Sequence, residues 1–321
     1  MKTLLQCIDG FIDNISVTDK QEESITGSVN NLSTCLLKKD NGLSVKETFT
    51  NGSYERDTMI RPLDDIDLFA VLDFEEYKTD LGQLPTPQSV LSKIKSYLDK
   101  QPDYKDKVYQ DRPCVSIELS KIYFDVLPSF EISNGLYYIP NLDLSGWTTT
   151  NPNSHSVELN KTNTTSKGKL KKVIKAVKHW KRENKQNMPS FHLEEVAISV
   201  FKAFNIVNLK DGIEKWFEYA PTYMEMSKFK SNDEYTKVKE KVKKVYSKLK
   251  DADDKYEKNE AEAIKIWKEI FDKEFNITDE AEAKEMSKAL SEGALKIGGT
   301  GLLSKTVGNV VPPSSGFYGE K

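Results

Sequence analysis

The sequence predicts a mixed α+β protein: a sheet with flanking helices in the first half of the chain and a helical bundle in the second. Three observations carry this. Strand-length apolar stretches such as DIDLFAVLDF and PCVSIELSKIYFDVLPSF fall within the first 150 residues. Past Lys169, apolar residues recur at three and four. Between these regions, residues 131–168 are rich in Asn, Gly, Pro, Ser and Thr and read as a long surface connection.

Residues 3–39 read as helical, since Leu5, Ile8, Ile12 and Ile15, and later Ile25, Val29, Leu32 and Leu36, keep helical spacing until Asn41-Gly42. Short β-like pieces occupy 44–74. PTPQSVLSKIKSYLDK opens on prolines and continues with Val90, Leu91, Ile94 and Leu98 on one helical face. A strand pair follows, with a polar turn near Ser120-Lys121 and a proline stop at Pro128. About five helices then run from KLKKVIKAVKHWKREN to EAEAKEMSKALSEGALK. The final stretch is Gly-, Ser- and Pro-rich and reads as a tail.

Composition narrows the function classes. The 321 residues are 30% charged and 37% apolar, as in a soluble globular protein, and a cytoplasmic location is the default. No apolar run approaches a membrane span. The net charge of -3 argues against non-specific nucleic-acid binding, so affinity for phosphates has to come from local clusters or bound metal. Cys7, Cys35 and Cys114 are widely separated and read as buried free thiols, and neither they nor His155, His179 and His192 have zinc-ligand spacing. His179 is expected on an exposed helix surface, and Trp180 and Trp267 in the core.

The chemistry concentrates in NGSYERDTMIRPLDDIDLF. In a strand, Asp65 and Asp67 would share a face while Ile66 and Leu68 turn into the core. A register shifted by one would bring Asp64 to the wrong face, and the apolar residues at 66 and 68 argue against it. A third acid, Asp125, lies in the strand KIYFDVLPSF; if the strands pair, three carboxylates converge. Such a cluster needs a hard dication, and oxygen-only ligands favour Mg²⁺ or Mn²⁺. Two such ions, about 3.5–4 Å apart, clamp the attacking and leaving oxygens of a phosphoryl displacement. Gly52 and Ser53 supply close backbone approach and a hydroxyl for a phosphate. Lys171, Lys175, Lys178 and Arg182 fall on one helical face, either as a solvated stripe or as a neutraliser of phosphates.

GSYERDTMIRPLDDIDLF with FDVLPSF resembles the active-site pattern of the DNA polymerase β-like nucleotidyltransferases, in particular the cGAS/DncV-like nucleotidyltransferases (CD-NTases) of bacterial anti-phage (CBASS) signalling. TTTNPNSHSVELNKTN, LKKVIKAVKHWKREN, SFHLEEVAI and AIKIWKEIFDKEF are similar in order and spacing to the helical half of those enzymes. The resemblance covers most of residues 1–276. It implies a nucleotidyltransferase core at 1–150, a helical domain at 151–296 and a flexible tail at 297–321, with the active site in the cleft between core and helices. Asp65, Asp67 and Asp125 would carry two Mg²⁺ ions, replaceable by Mn²⁺, with Asp125 also assisting deprotonation of the attacking hydroxyl. Gly52 and Ser53 would hold the triphosphate, joined by Lys178 and Ser190. The implied function is synthesis of a cyclic di- or trinucleotide messenger from ATP, GTP or pyrimidine NTPs. Extension of an RNA or tRNA end is the alternative. An activator, or a conjugation partner joined to the C-terminal Lys321, is the implied protein partner. No zinc insert is implied.

Overall fold

The computed structural model describes residues 2–275 apart from 40, 121 and 134 and, beyond residue 275, the backbone of three two-residue strands. The chain forms two compact units, Ile12–Lys248, and Met1–Phe11 together with Leu249–Lys321. Among the described residues no helix is long and apolar enough to cross a membrane.

The N-terminal helical stretch divides into α1 (Leu4–Ile15) and α2 (Asp19–Leu36). A capping box restarts the helix, with the Thr18 hydroxyl accepting from the Gln21 N–H and the Gln21 side chain accepting from the Thr18 N–H. β1 (Val45–Asn51) runs into a single helical turn, α3 (Gly52–Glu55), and the chain returns as β2 (Ile66–Leu72), antiparallel to β1. A second short turn, α4 (Phe74–Tyr77), precedes α5 (Pro87–Leu98), where Thr86 caps the N-terminus and Pro87 occupies the first turn. After β3 (Val108–Asp111) and β4 (Cys114–Glu118) comes β5 (Tyr123–Ser133), which pairs antiparallel with β4 and parallel with β2. The crossover through α5 supplies the length that a parallel β2–β5 pair requires.

Pro128 does not end its strand. It lies where β5 has run past β4, whose pairing ends at Val126, and has not yet met β6 (Leu136–Pro140), whose pairing begins at Phe130. A missing N–H costs little there. β7 (Trp147–Thr150) completes the sheet against β6. Ile66, Leu68, Ala70 and Leu72 of β2, with Phe124 and Val126 of β5, turn one face onto Ile25, Leu32 and Leu36 of α2 and Val90, Leu91, Ile94 and Leu98 of α5. Asp67 and Asp125 therefore stand on the opposite face.

The expected long connection at 131–168 is instead β6, β7 and a helix, α6 (Pro152–Thr165). Its start signals were present: Asn151 accepts from the Ser154 N–H and Pro152 occupies the first turn. Its buried face, Ser156, Leu159 and Thr162, is mostly polar, so it carried little apolar periodicity. α7 (Lys169–Glu183), α8 (Ser190–Ala203) and α9 (Leu209–Tyr223) follow. Trp180 packs edge-on against Phe217 at 4.9 Å between centroids. His179, expected at the surface, is buried along with every residue from Ala176 to Trp180, because α7 is covered on several sides.

α10 (Asn232–Tyr256) keeps one apolar edge, Val238, Val242, Val245, Leu249 and Ala252, on an otherwise charged helix. In the smaller unit Trp267 and Phe271 of α11 (Glu260–Phe271) cluster with Phe11 and Phe275, and the Leu4 N–H donates to Glu260 at 2.7 Å. The helix expected over EAEAKEMSKALSEGALK lies outside the described residues. So does most of the 297–321 tail, of which the described backbone joins a three-stranded antiparallel sheet, β8 (Lys296–Ile297), β9 (Leu303–Ser304) and β10 (Asn309–Val310). Cys7, Cys35 and Cys114 are free thiols, the first two buried and Cys114 partly so.

Candidate active site

The site begins where β1 ends. Asn51 is extended, and Gly52, at φ +75°, turns the chain into α3. An L side chain resists that backbone conformation, and there is a second constraint: a Cβ on Gly52 would lie 1.8 Å from Oδ2 of Asp67. The Asp67 carboxylate thus rests against the Gly52 backbone. Asp67 is also directly opposite Asn51 on one side and Asp125 on the other.

Burial pushes the Asp67 carboxyl up to about 6, Asp125 adds to this and Arg56 opposes it. Asp65 is raised too, first by burial and then by Asp125, Asp64 and Asp111. It lies one residue before β2, and its charge in turn helps to raise Asp67. Ile66 and Leu68 are fully buried, as the alternation required. Asp64 forms an ion pair with Arg182 at 2.8 Å, and Arg182 also donates to the Pro62 carbonyl. Oδ1 of Asp125 accepts a 2.6 Å hydrogen bond from Ser116 on β4, which fixes that carboxylate.

Among the described residues no three acidic, histidine or cysteine side chains stand together as a ready metal shell. The residues nevertheless fit a hard divalent ion. The donors are all oxygen, the β2–β5 register puts Asp67 beside Asp125 on one face, and the raised Asp67 carboxyl marks an unmet need for positive charge.

The two remaining candidates, Ser190 and Lys178, lie in the second half of the chain. Ser190 opens α8 and its hydroxyl accepts from Lys181 Nζ at 2.8 Å. Burial, then Lys178, lowers the Lys181 pKa. Lys178 is buried, donating to Glu194 Oε1 at 2.6 Å and to the Thr58 hydroxyl at 3.0 Å. Of the basic stripe, Lys175 pairs with Asp57 at 2.7 Å, and Arg182 with Asp64.

Sequence reasoning missed Glu194 and Thr58, the partners of Lys178, and Arg56 and His155, which join them at Glu194. Glu194 is completely buried and has Arg56 Nε at 2.8 Å, the Thr58 hydroxyl at 2.7 Å and His155 Nε2 at 3.0 Å. One signal was readable, since helical spacing puts Glu194 in line with Ala197 and Phe201 on an apolar face of α8.

Comparison with known proteins shows the family and the fold. The model of the Second Messenger Oligonucleotide or Dinucleotide Synthetase (SMODS) domain matches residues 1–163, a span that includes Gly52, Ser53 and all three aspartates. A probable cyclic nucleotide synthase of Bacillus cereus strain VD146 is 26% identical, over 86% of this chain and 98% of its own length. The cyclic AMP-AMP-AMP synthase of an Acinetobacter species is 32% identical over 43% of this chain and 40% of its own. Among solved structures, Escherichia coli MS115-1 CdnC, in its HORMA-deltaN complex, superposes at a TM-score of 0.70 with 14% identity, covering 85% of this chain and 98% of that one. Vibrio cholerae DncV, a cyclic AMP-GMP synthase bound to a linear intermediate, gives 0.63 with 13% identity over 83% and 94%. The chain belongs to the SMODS family of second-messenger synthetases and is a cGAS/DncV-like nucleotidyltransferase.

Proposed function

We propose that the chain joins NTPs through phosphodiester bonds into a cyclic di- or trinucleotide that signals in anti-phage defence in the cytoplasm. The observation that carries the reading is the placement of Asp67 opposite Asp125, with its carboxylate against the Gly52 backbone, so that acidic groups and a phosphate cradle meet. Neighbouring folds described with ATP (CdnC) and GTP (CdnG of Bradyrhizobium diazoefficiens) support NTPs as substrates.

Asp65, Asp67 and Asp125 would hold the divalent ions, Mg²⁺ or Mn²⁺. When bound, such ions neutralise the triphosphate and lower the pKa of the attacking hydroxyl. Gly52 presents its backbone N–H and Ser53 its hydroxyl to the β- and γ-phosphates, holding the nucleotide by its leaving group. Asp125, steadied by Ser116, accepts the proton of the attacking 3′- or 2′-hydroxyl. That oxygen bonds to the α-phosphorus as the bond to the bridging α–β oxygen breaks and pyrophosphate leaves. Ser190, backed by Lys181, and Lys178 complete the triphosphate contacts from α8 and α7. Lys178 does so by exchanging one of its internal partners for a phosphate oxygen. In this scheme residues 1–150 act as the catalytic core, residues 151–296 as the helical domain, and 297–321 as a tail for a conjugation partner.

Pyrophosphate release from NTPs, measured with and without Mg²⁺, tests the reading. We expect release that EDTA abolishes and that Asp125→Asn reduces at least about 100-fold. Release that persists in EDTA, or survives the substitution, contradicts it.

A further inference from the structure

The residues after the cradle form an unusual set of ties. Five consecutive side chains each reach a helix: the Tyr54 hydroxyl lies 3.1 Å from Thr26 of α2, and Glu55 accepts from Ser156 of α6 at 2.8 Å. Arg56 and Thr58 both donate to Glu194 of α8, and Asp57 pairs with Lys175 of α7. We propose that Glu194 is a positioning residue that sets the placement of the nucleotide cradle from the helical half of the chain. This rests on the reading of Gly52 and Ser53 as the triphosphate cradle.

Two short routes lead from Glu194 to the cradle. Through Arg56 it reaches the Asn51 side chain, which accepts from Arg56 Nη1 at 3.4 Å and immediately precedes Gly52. Through Thr58 it reaches Ser53, whose carbonyl accepts the Thr58 N–H at 2.9 Å. The cradle is thereby gripped on both sides. Only a carboxylate serves at this position. Four donors converge on it, from Arg56, Thr58, Lys178 and His155, and an ionised carboxyl offers about four acceptor sites and no competing donor. Burial alone would raise the Glu194 carboxyl, but the His155 hydrogen bond, then the charges of Lys178 and Arg56, hold it well below the usual carboxylate range. A glutamine would turn its own N–H groups toward a cation or a donor and loosen both routes.

The cradle holds the leaving phosphates rather than the attacking hydroxyl, so misplacing it weakens nucleotide binding more than it slows the committed chemistry. This separates a positioning role from a merely structural one, which would lower the folded fraction and leave KM alone.

The experiment is made on the full chain, with Glu194→Gln, Glu194→Asp and Thr58→Val. ATP and GTP binding is measured at equilibrium, KM and kcat in the steady state, and folding by circular dichroism and thermal melting. We expect Glu194→Gln to weaken NTP binding and raise KM by about tenfold or more, with kcat within about threefold, and Glu194→Asp to recover most of the loss. Thr58→Val removes one donor while keeping both ion pairs, and should raise KM about threefold with little change in melting temperature. A folded Glu194→Gln protein with unchanged KM, or one impaired in kcat alone, overturns the proposal. If Glu194→Gln does not fold, an unchanged KM in Thr58→Val overturns it instead. A wild-type chain that binds no NTP removes the cradle reading itself, whereas wild-type binding matched by all three variants removes only the role of Glu194.

Discussion

Asp67→Asn should stabilise the metal-free protein while abolishing its activity. The Asp67 carboxyl is raised from 3.8 to about 6, chiefly by burial and then by Asp125, so the folded state holds a proton that the unfolded chain has already released. That shift of about two units is worth about 3 kcal/mol. The sign follows from proton binding. Between the two pKa values the native state carries more protons, so stability falls as pH rises from about 4 through about 6 and then levels off. Asparagine carries no such charge. The variant should therefore gain stability over wild type with rising pH, reaching about 1–3 kcal/mol above neutrality, the lower end allowing for its lost attraction to Arg56. Urea unfolding of both proteins in EDTA, from roughly pH 4.5 to 7.5, measures the difference across the window in which an Asp carboxyl raised in this way titrates. A variant less stable than wild type throughout, or a difference independent of pH, would refute the reasoning. Adding Mg²⁺ should reverse the order, because only wild type gains a ligand-bound state.

Three further outcomes are expected. Gly52→Ala puts a methyl where Asp67 Oδ2 lies and forces a positive φ on alanine, so kcat should fall at least about 100-fold in steady-state assays, with a stability loss of about 1–3 kcal/mol. Ser116→Ala removes the 2.6 Å hydrogen bond to Asp125 and should lower kcat about tenfold without raising KM. Gly212→Ala places a Cβ 2.9 Å from Val173 and 3.0 Å from Ile206, so urea titration should show a loss of about 1–2 kcal/mol, with activity per folded molecule unchanged.

Strong alternation and local chemistry made part of this protein readable in advance. Ile66, Asp67 and Leu68 fixed the face of β2 because burying two aliphatic side chains left the acid only one direction. α5 was legible from its prolines and four apolar residues at helical spacing. α6 was hidden by composition: Ser156 and Thr162 face inward, so the pattern that usually reveals a helix was absent. Asp65 lies one residue before the β2 ladder, a boundary that alternation does not report. Glu194 could not be paired with Arg56 from sequence, since 138 positions separate them and only the packing of α8 against the turn after β1 brings them together. Lys178 was singled out from the basic face as a triphosphate contact by the resemblance, and its burial beside Glu194 emerged only from the fold.

Incubation of the full chain with all four NTPs and Mg²⁺ or Mn²⁺, followed by phosphatase treatment and mass spectrometry, bears most directly on the proposed reaction. The expected product is a phosphatase-resistant cyclic oligonucleotide that an Asp65→Asn/Asp67→Asn protein does not make. A protein that yields only linear, phosphatase-sensitive products, or that extends RNA ends and forms no cyclic species, would contradict it.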